Sequence, residues 1–330
     1  MGGIGRVLIT GGTLILLFVA YMLWGTGLQE ARSQKVLEEQ FEEALATTTS
    51  SSTTTSSTTT TTTAPDTQPQ LVPVEPETVD LPLPAIGDPM ARIRMPSIGV
   101  NRTVVESVSL DQLKRGPGHY PETPLPGQAG NVAIAGHRTT YGQPFHNFDK
   151  VEPGDEIFLE TLQGEFVYEV SEVVVVEPDQ VEILEDQGDN RVTLIACHPK
   201  YSAAQRLIVI GQLRGEVVPQ IEGQQEVREE AVEEGELVGE SIDGGLSGES
   251  TSNGPAIAWG LAAAAVWLVT WGFQVLIRRR VRSRAEDAGT APTRGQRLLQ
   301  WTPYVVGLPV FLVVLYVFFE NFASLLPANY

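Results

Sequence analysis

Uncharged apolar stretches at both ends constrain this chain most. Residues 7–24, 255–277 and 302–319 carry no charged side chain. Each is close to the roughly 20 residues needed to cross a bilayer as a helix. The first reads as an uncleaved signal anchor: no small-x-small cleavage site follows Trp24, and a charged amphipathic stretch begins at once. Orientation follows from the arginines between the second and third stretches, Arg278, Arg279, Arg280, Arg282, Arg284, Arg294 and Arg297, a cluster expected to stay cytoplasmic. The expectation is a multi-pass protein of the cell membrane with a cytoplasmic N-terminus and about 30–254 outside. The N-terminal flank says less, with Arg6 before the stretch and Arg32 and Lys35 beyond it.

Between the anchors the composition shifts several times. Residues 1–29 form the anchor. Residues 30–89 begin with helical spacing at Leu37, Phe41 and Leu45, so a short helix is expected over 28–46. An unbroken Ser/Thr run follows at 47–63 and a Pro-rich stretch at 64–89. Neither can bury a core, so disorder is expected, as a bare linker or as an O-glycosylated stalk. Residues 216–254 are rich in Glu, Gly and Ser and read as an acidic spacer; Glu229, Glu230, Glu233, Glu234 and Glu236 lack the spacing of a calcium loop. Residues 255–330 form a two-helix hairpin with a basic loop.

That leaves one domain, 90–215. Short β-branched runs at 91–94, 102–106, 131–135, 156–161, 166–176, 191–197 and 206–213 are separated by turn signals such as Pro153-Gly154-Asp155 and Gln163-Gly164. Apolar residues on both faces favour a closed, mostly β barrel over an open sheet. The net charge of −19 argues against nucleic acid as a partner. One cysteine and four histidines exclude an internal disulfide and any cysteine-based metal cluster, and make a histidine metal site unexpected. No metal and no cofactor are expected.

The single cysteine, Cys197, ends the run Thr193-Leu194-Ile195-Ala196-Cys197, and Pro199 breaks the ladder just beyond it. A free thiol outside the cell is an oxidation liability, so it is either a buried filler or a nucleophile at the barrel rim. A nucleophilic thiol needs a base or a cation beside it. His198 is adjacent and should point to the opposite face. His137, just past the apolar run 131–135, is the leading candidate base; His119 in a turn-like segment is second, and His146 lies in a loop. Arg206 opens the last run after an eight-residue loop, where an antiparallel return would lay a guanidinium beside the thiol to hold a carbonyl or an oxyanion. For each, an ordinary surface role stays open at this level.

Taken together, Thr193-Leu194-Ile195-Ala196-Cys197 with Arg206-Leu207-Ile208-Val209, and Ala133-Ile134-Ala135-Gly136-His137-Arg138, resemble the signature elements of sortases. Gly116-Pro117-Gly118-His119-Tyr120-Pro121, Gly136-His137-Arg138-Thr139-Thr140-Tyr141-Gly142 and Cys197-His198-Pro199-Lys200-Tyr201-Ser202 resemble the class E branch of high-GC Gram-positive bacteria. The resemblance implies a β-barrel of about eight strands and a cysteine transpeptidase. Cys197 would attack between Thr and Gly of a Leu-Ala/Pro-x-Thr-Gly sorting signal on a secreted protein, His137 would serve as acid and then base, and Arg206 would hold substrate or oxyanion. The acceptor would be the amine of a lipid II-like peptidoglycan precursor. His119, Tyr120 and Ala196 are further substrate-binding candidates, although Ala196 stands where members often carry Thr. A pilus-polymerising sortase, a membrane-tethered thiol hydrolase and a non-catalytic scaffold remain alternatives. The C-terminal hairpin has no counterpart in the pattern, and Leu83-Pro84-Ala85-Ile86-Gly87, which looks like a degenerate sorting signal, reads as linker.

Overall fold

Valine- and isoleucine-rich runs with alternating burial build the centre of this protein. The computed structural model describes residues 3–51, 78–233, 253–287 and 301–323. The Ser/Thr run beyond Ser51, the Pro-rich stretch to 77, the acidic residues 234–252 and the segment 288–300 lie outside the described residues. Helix α1 (Gly3–Ala20) passes through a π-helical turn (Tyr21–Gly25) into α2 (Thr26–Ser51). Strands β1 (Thr78–Val79), β2 (Pro89–Met95) and β3 (Val100–Glu106) follow, then helix α3 (Leu110–Leu113), β4 (Gly118–His119) and β5 (Asn131–Ala135). After a 3-10 turn (Phe148–Lys150) come β6 (Glu156–Thr161), β7 (Gly164–Val176), a second 3-10 turn (Val181–Leu184), β8 (Arg191–His198), β9 (Gln205–Arg214) and β10 (Gln220–Ile221). Helices α4 (Gln224–Glu233), α5 (Gly254–Asp287) and α6 (Thr302–Ala323) complete the described chain.

The chain divides into two compact units, Leu23–Glu249 and the two ends. In the first, eight strands close a barrel in the order β2-β3-β4-β5-β8-β9-β7-β6. This is the closed barrel of about eight strands expected from the sequence. Seven strands fall on the seven β-branched runs; the eighth, β4, is two residues long and too short to show a pattern. Most pairings are antiparallel, but β3–β4 and β5–β8 are parallel. Residues on one face of each strand fill the interior. Ile93, Met95, Val132, Ile134, Ile157, Leu159, Val192, Leu194, Ala196, Leu207 and Val209 meet there. Burying such aliphatic side chains stabilises by about 1.5–3 kcal/mol each before chain entropy is counted.

The helix expected over 28–46 and two segments expected to be linker belong to this unit. Helix α2 lies on the barrel, with Leu37 and Phe41 fully buried on the face that 3.6-residue spacing puts inward. It extends to Ser51, into the Ser/Thr run. Strand β1 pairs in parallel with β10. Residues 216–233 are packed rather than spacer: the Val218 N–H donates to the Gly127 carbonyl, the Gln128 and Gln224 amides bond each other, and Arg228 Nε donates to the Glu122 carbonyl at 2.8 Å. The 83–87 segment is also tied down, since the Gly87 N–H donates to the Glu106 carbonyl at 2.9 Å.

The second unit holds the apolar ends. Segments Gly254–Ser283 and Thr302–Ala323 are long and apolar enough to cross a membrane. At the N-terminus the apolar helical stretch Leu8–Ala20 continues directly into the π-helical turn that begins at Tyr21. Phe18 and Tyr21 pack against Phe319, with Leu315 and Ala323 completing the cluster. Gly307 admits Thr270 so closely that a Cβ would lie 2.3 Å from its hydroxyl oxygen. Small residues at such crossings let apolar helices pack tightly.

Candidate active site

Strand β8 delivers Cys197, and the period of two decides where it points. Val192, Leu194 and Ala196 face the interior core, while Thr193, Ile195 and Cys197 face the other side. There a second apolar cluster forms from Val108, Leu113, Tyr120, Ala133, Ala135, Leu184, Ile195, Cys197, Ile208 and Ile210. Cys197 is 1% exposed.

Two neighbouring strands bring side chains to this thiol. The antiparallel register of β8 and β9 sets Cys197 directly opposite Arg206. On the other side, β5 runs parallel to β8 with Ala135 level with Ile195, and the Gly136 N–H donates to the Ile195 carbonyl at 3.0 Å. His137 lies two residues beyond the last paired residue of β5. Cys197 and Arg206 are thus cross-strand partners, and His137 follows the end of the strand on the other side of β8. His137 is fully buried, and its ring lies 5.1 Å from that of Tyr141. Arg206 is also fully buried, with Nη1 donating to the carbonyls of Ala203 (2.8 Å) and Gln205 (2.9 Å).

Burial pushes the Cys197 thiol above its ordinary range, opposed by the charges of Arg206 and then Arg138. Tyr120 is likewise pushed far up by burial and feels the charges of both Arg206 and Cys197, so it belongs to the same cluster.

The remaining candidates separate. The Ala196 methyl sits in the interior core, on the face opposite the thiol, so it offers a peptide on the Cys197 side nothing to touch. His119 is not in a surface turn but on β4, level with Glu106 of β3. Its Nδ1 donates to the Glu106 carboxylate at 3.0 Å and its Nε2 to the Pro124 carbonyl at 3.0 Å. Burial would push its pKa down, but Glu106 and the Pro124 bond outweigh that and raise it. With an acceptor on each ring nitrogen, His119 fits an imidazolium. Both ring nitrogens are therefore engaged within the fold. His198 points to the opposite face from the thiol, as expected, and its Nδ1 accepts from Arg138. The Nδ1 of His146 donates to the Arg138 carbonyl at 3.0 Å.

Arg138 has no assigned role in the sequence reading, yet it ties the histidine loop to the cysteine strand. It is 2% exposed. Nη1 donates to the Cys197 carbonyl at 3.1 Å, and Nη2 to Asp149 at 3.0 Å, where Lys200 also bonds at 2.9 Å. The signal was present in the sequence only as an arginine next to a histidine. Its partners lie 11 and 59 residues away, where spacing says nothing. Among the described residues no group of three or more His, Cys, Asp or Glu is placed to hold a metal ion.

A family model, the sortase domain, matches residues 93–214, the span of the barrel from β2 to β9. Over these residues the chain carries a sortase domain. Sortase SrtE1 of Streptomyces coelicolor is 30% identical over 226 residues, which cover 64% of this chain and 56% of that relative. Sortase SrtE2 of the same organism is 28% identical, over 64% of this chain and 80% of that relative. A solved structure of a sortase E mutant from Streptomyces avermitilis is 34% identical, covers 41% of this chain and 93% of that one, and has a TM-score of 0.37. The chain spans little more than half the length of SrtE1.

Proposed function

We propose that this chain is a cysteine transpeptidase acting on sorting signals of the Leu-Ala/Pro-x-Thr-Gly kind and passing the protein to an amine of a lipid II-like cell-wall precursor. The observation that supports the reading is the β8–β9 register, which sets Cys197 opposite Arg206, with His137 just past the end of the neighbouring β5. The Cys197 thiolate attacks the Thr carbonyl carbon. Arg206, anchored through Nη1 to the Ala203 and Gln205 carbonyls and set opposite Cys197, supplies the positive charge for the oxyanion. His137 gives a proton to the departing glycine amine, leaving a thioester on Cys197. An incoming amine then loses a proton to His137, attacks the thioester carbon and frees the thiolate. The apolar cluster around Cys197 keeps water from the thioester and favours the amine.

The same reading puts the barrel outside the membrane, held by the apolar helices at the chain's ends. Such tethering raises the effective concentration of other membrane-held partners. The test is mass spectrometry of the full chain mixed with a Leu-Ala-x-Thr-Gly peptide. A thioester mass on Cys197, converted to peptide–amine product when a glycine or diamino acceptor is added, is expected. Water as the preferred acceptor makes the enzyme a hydrolase, and no acylation overturns the reading.

A further inference from the structure

Two glycines in the sequence motifs, Gly116 and Gly142, meet side chains from outside the barrel. Both lie under α2. A Cβ at Gly116 would stand 2.2 Å from Gln34 Nε2, and one at Gly142 would stand 2.2 Å from Glu30 Oε2. Glu30 and Gln34 are four residues apart, so they share the helix face that also buries Leu37 and Phe41.

Each makes a specific contact. Gln34 acts like a strand residue against the free edge of β3: Oε1 accepts from the Thr103 N–H at 2.8 Å, while Nε2 donates to the carbonyls of Thr103 (2.9 Å) and Arg115 (3.0 Å). Glu30 is 2% exposed and pairs with Arg102 at 2.9 Å. Its carboxyl rests on the most contorted turn of the barrel. Tyr141, Gly142 and Gln143 have φ of 46°, 74° and 50°, three successive left-handed residues of which only one is glycine. Such backbone costs about 1–3 kcal/mol for each non-glycine residue and persists only where its surroundings hold it. Tyr141 in turn packs on His137.

We propose that α2 is a working part of the active site, and that Glu30 is a positioning residue that holds the 141–143 turn and through Tyr141 fixes His137. This rests on the transpeptidase reading above. The helix that joins the anchor to the barrel thereby orients the acid–base group, and the barrel separated from it carries a loosened histidine loop.

The experiment uses the full chain in detergent micelles with a Leu-Ala-x-Thr-Gly peptide and a glycine acceptor. Glu30→Ala is expected to lower kcat by about tenfold or more with KM within about twofold, since misplacing a proton donor harms the transition state more than binding. Glu30→Gln keeps the shape against Gly142 and is expected within about threefold of wild type. Hydrogen exchange of the 138–146 amides is expected to speed up in Glu30→Ala by about tenfold and not in Glu30→Gln. Ile157→Val, a core change away from the turn, serves as a stability control with wild-type kcat expected. Wild-type kcat and amide protection in Glu30→Ala, or an equal loss of kcat in Ile157→Val, would overturn the proposal. If wild type itself never acylates Cys197, the transpeptidase reading fails, while the exchange rates still report on Glu30.

Discussion

At the scale of single residues, alternation along a strand settled more than any motif. It placed Cys197 and His198 on opposite faces before any coordinates, and the structure has them so. It could not supply the thiol's environment, because that depends on which strands are neighbours. The resulting pocket has a cost: burial favours the neutral thiol, and Arg206 and then Arg138 counter it. The rate of Cys197 alkylation by iodoacetamide is therefore expected to keep climbing as pH rises past the ordinary thiol range. Arg206→Lys keeps the charge but loses the planar fork held by the Ala203 and Gln205 carbonyls. It should leave the alkylation profile close to wild type while kcat for peptide transfer falls by about 10²-fold, the loss typical of removing one oxyanion donor. A parallel drop in both measurements would show that the arginine serves the thiolate and not the oxyanion.

Elements show where sequence reading stops. Seven strands were legible as β-branched runs, but β4 was not, and its parallel pairing with β3 is what brings His119 level with Glu106. Breaking such a buried pair leaves one charge uncompensated and costs about 3–5 kcal/mol. Glu106→Gln is thus expected to lower the barrel's stability by about 3 kcal/mol in urea denaturation. A loss below about 1 kcal/mol would mean that His119 is neutral in the fold. The loop clamp at the other end behaves differently because it is half exposed. Bonding from Lys200, opposed by burial and joined by a bond from Arg138, holds the Asp149 carboxyl down to about 2. A carboxylate lowered in the fold stabilises above its unfolded value near 3.8 and loses that contribution as pH falls through about 2. The Tm difference between wild type and Asp149→Asn should accordingly be constant above about pH 5 and shrink toward zero near pH 2. A difference that persists there would show that Asp149 acts through shape alone.

For the whole molecule, composition located the barrel and the apolar ends but misjudged what lies between them. Residues 216–233 looked polar enough to be spacer because they bury only one narrow face, with Ile221 and Gln224, whereas the helix expected over 28–46 is present and docks through Leu37 and Phe41. A single buried stripe barely moves the average over a segment that is otherwise Glu-rich. Orientation rests on the arginines that follow the apolar part of α5, Arg278, Arg279, Arg280, Arg282 and Arg284, with Arg294 and Arg297 beyond. The single native cysteine makes this directly testable, since Cys197→Ser leaves a chain with no thiol. In that background Ser247→Cys, before α5, is expected to react with a membrane-impermeant maleimide on intact cells. Thr290→Cys, between α5 and α6, is expected to react only after the membrane is opened. Labelling in the reverse order would place the barrel in the cytoplasm, away from secreted substrates and wall precursors, and would remove the tethering argument together with the proposed acceptor.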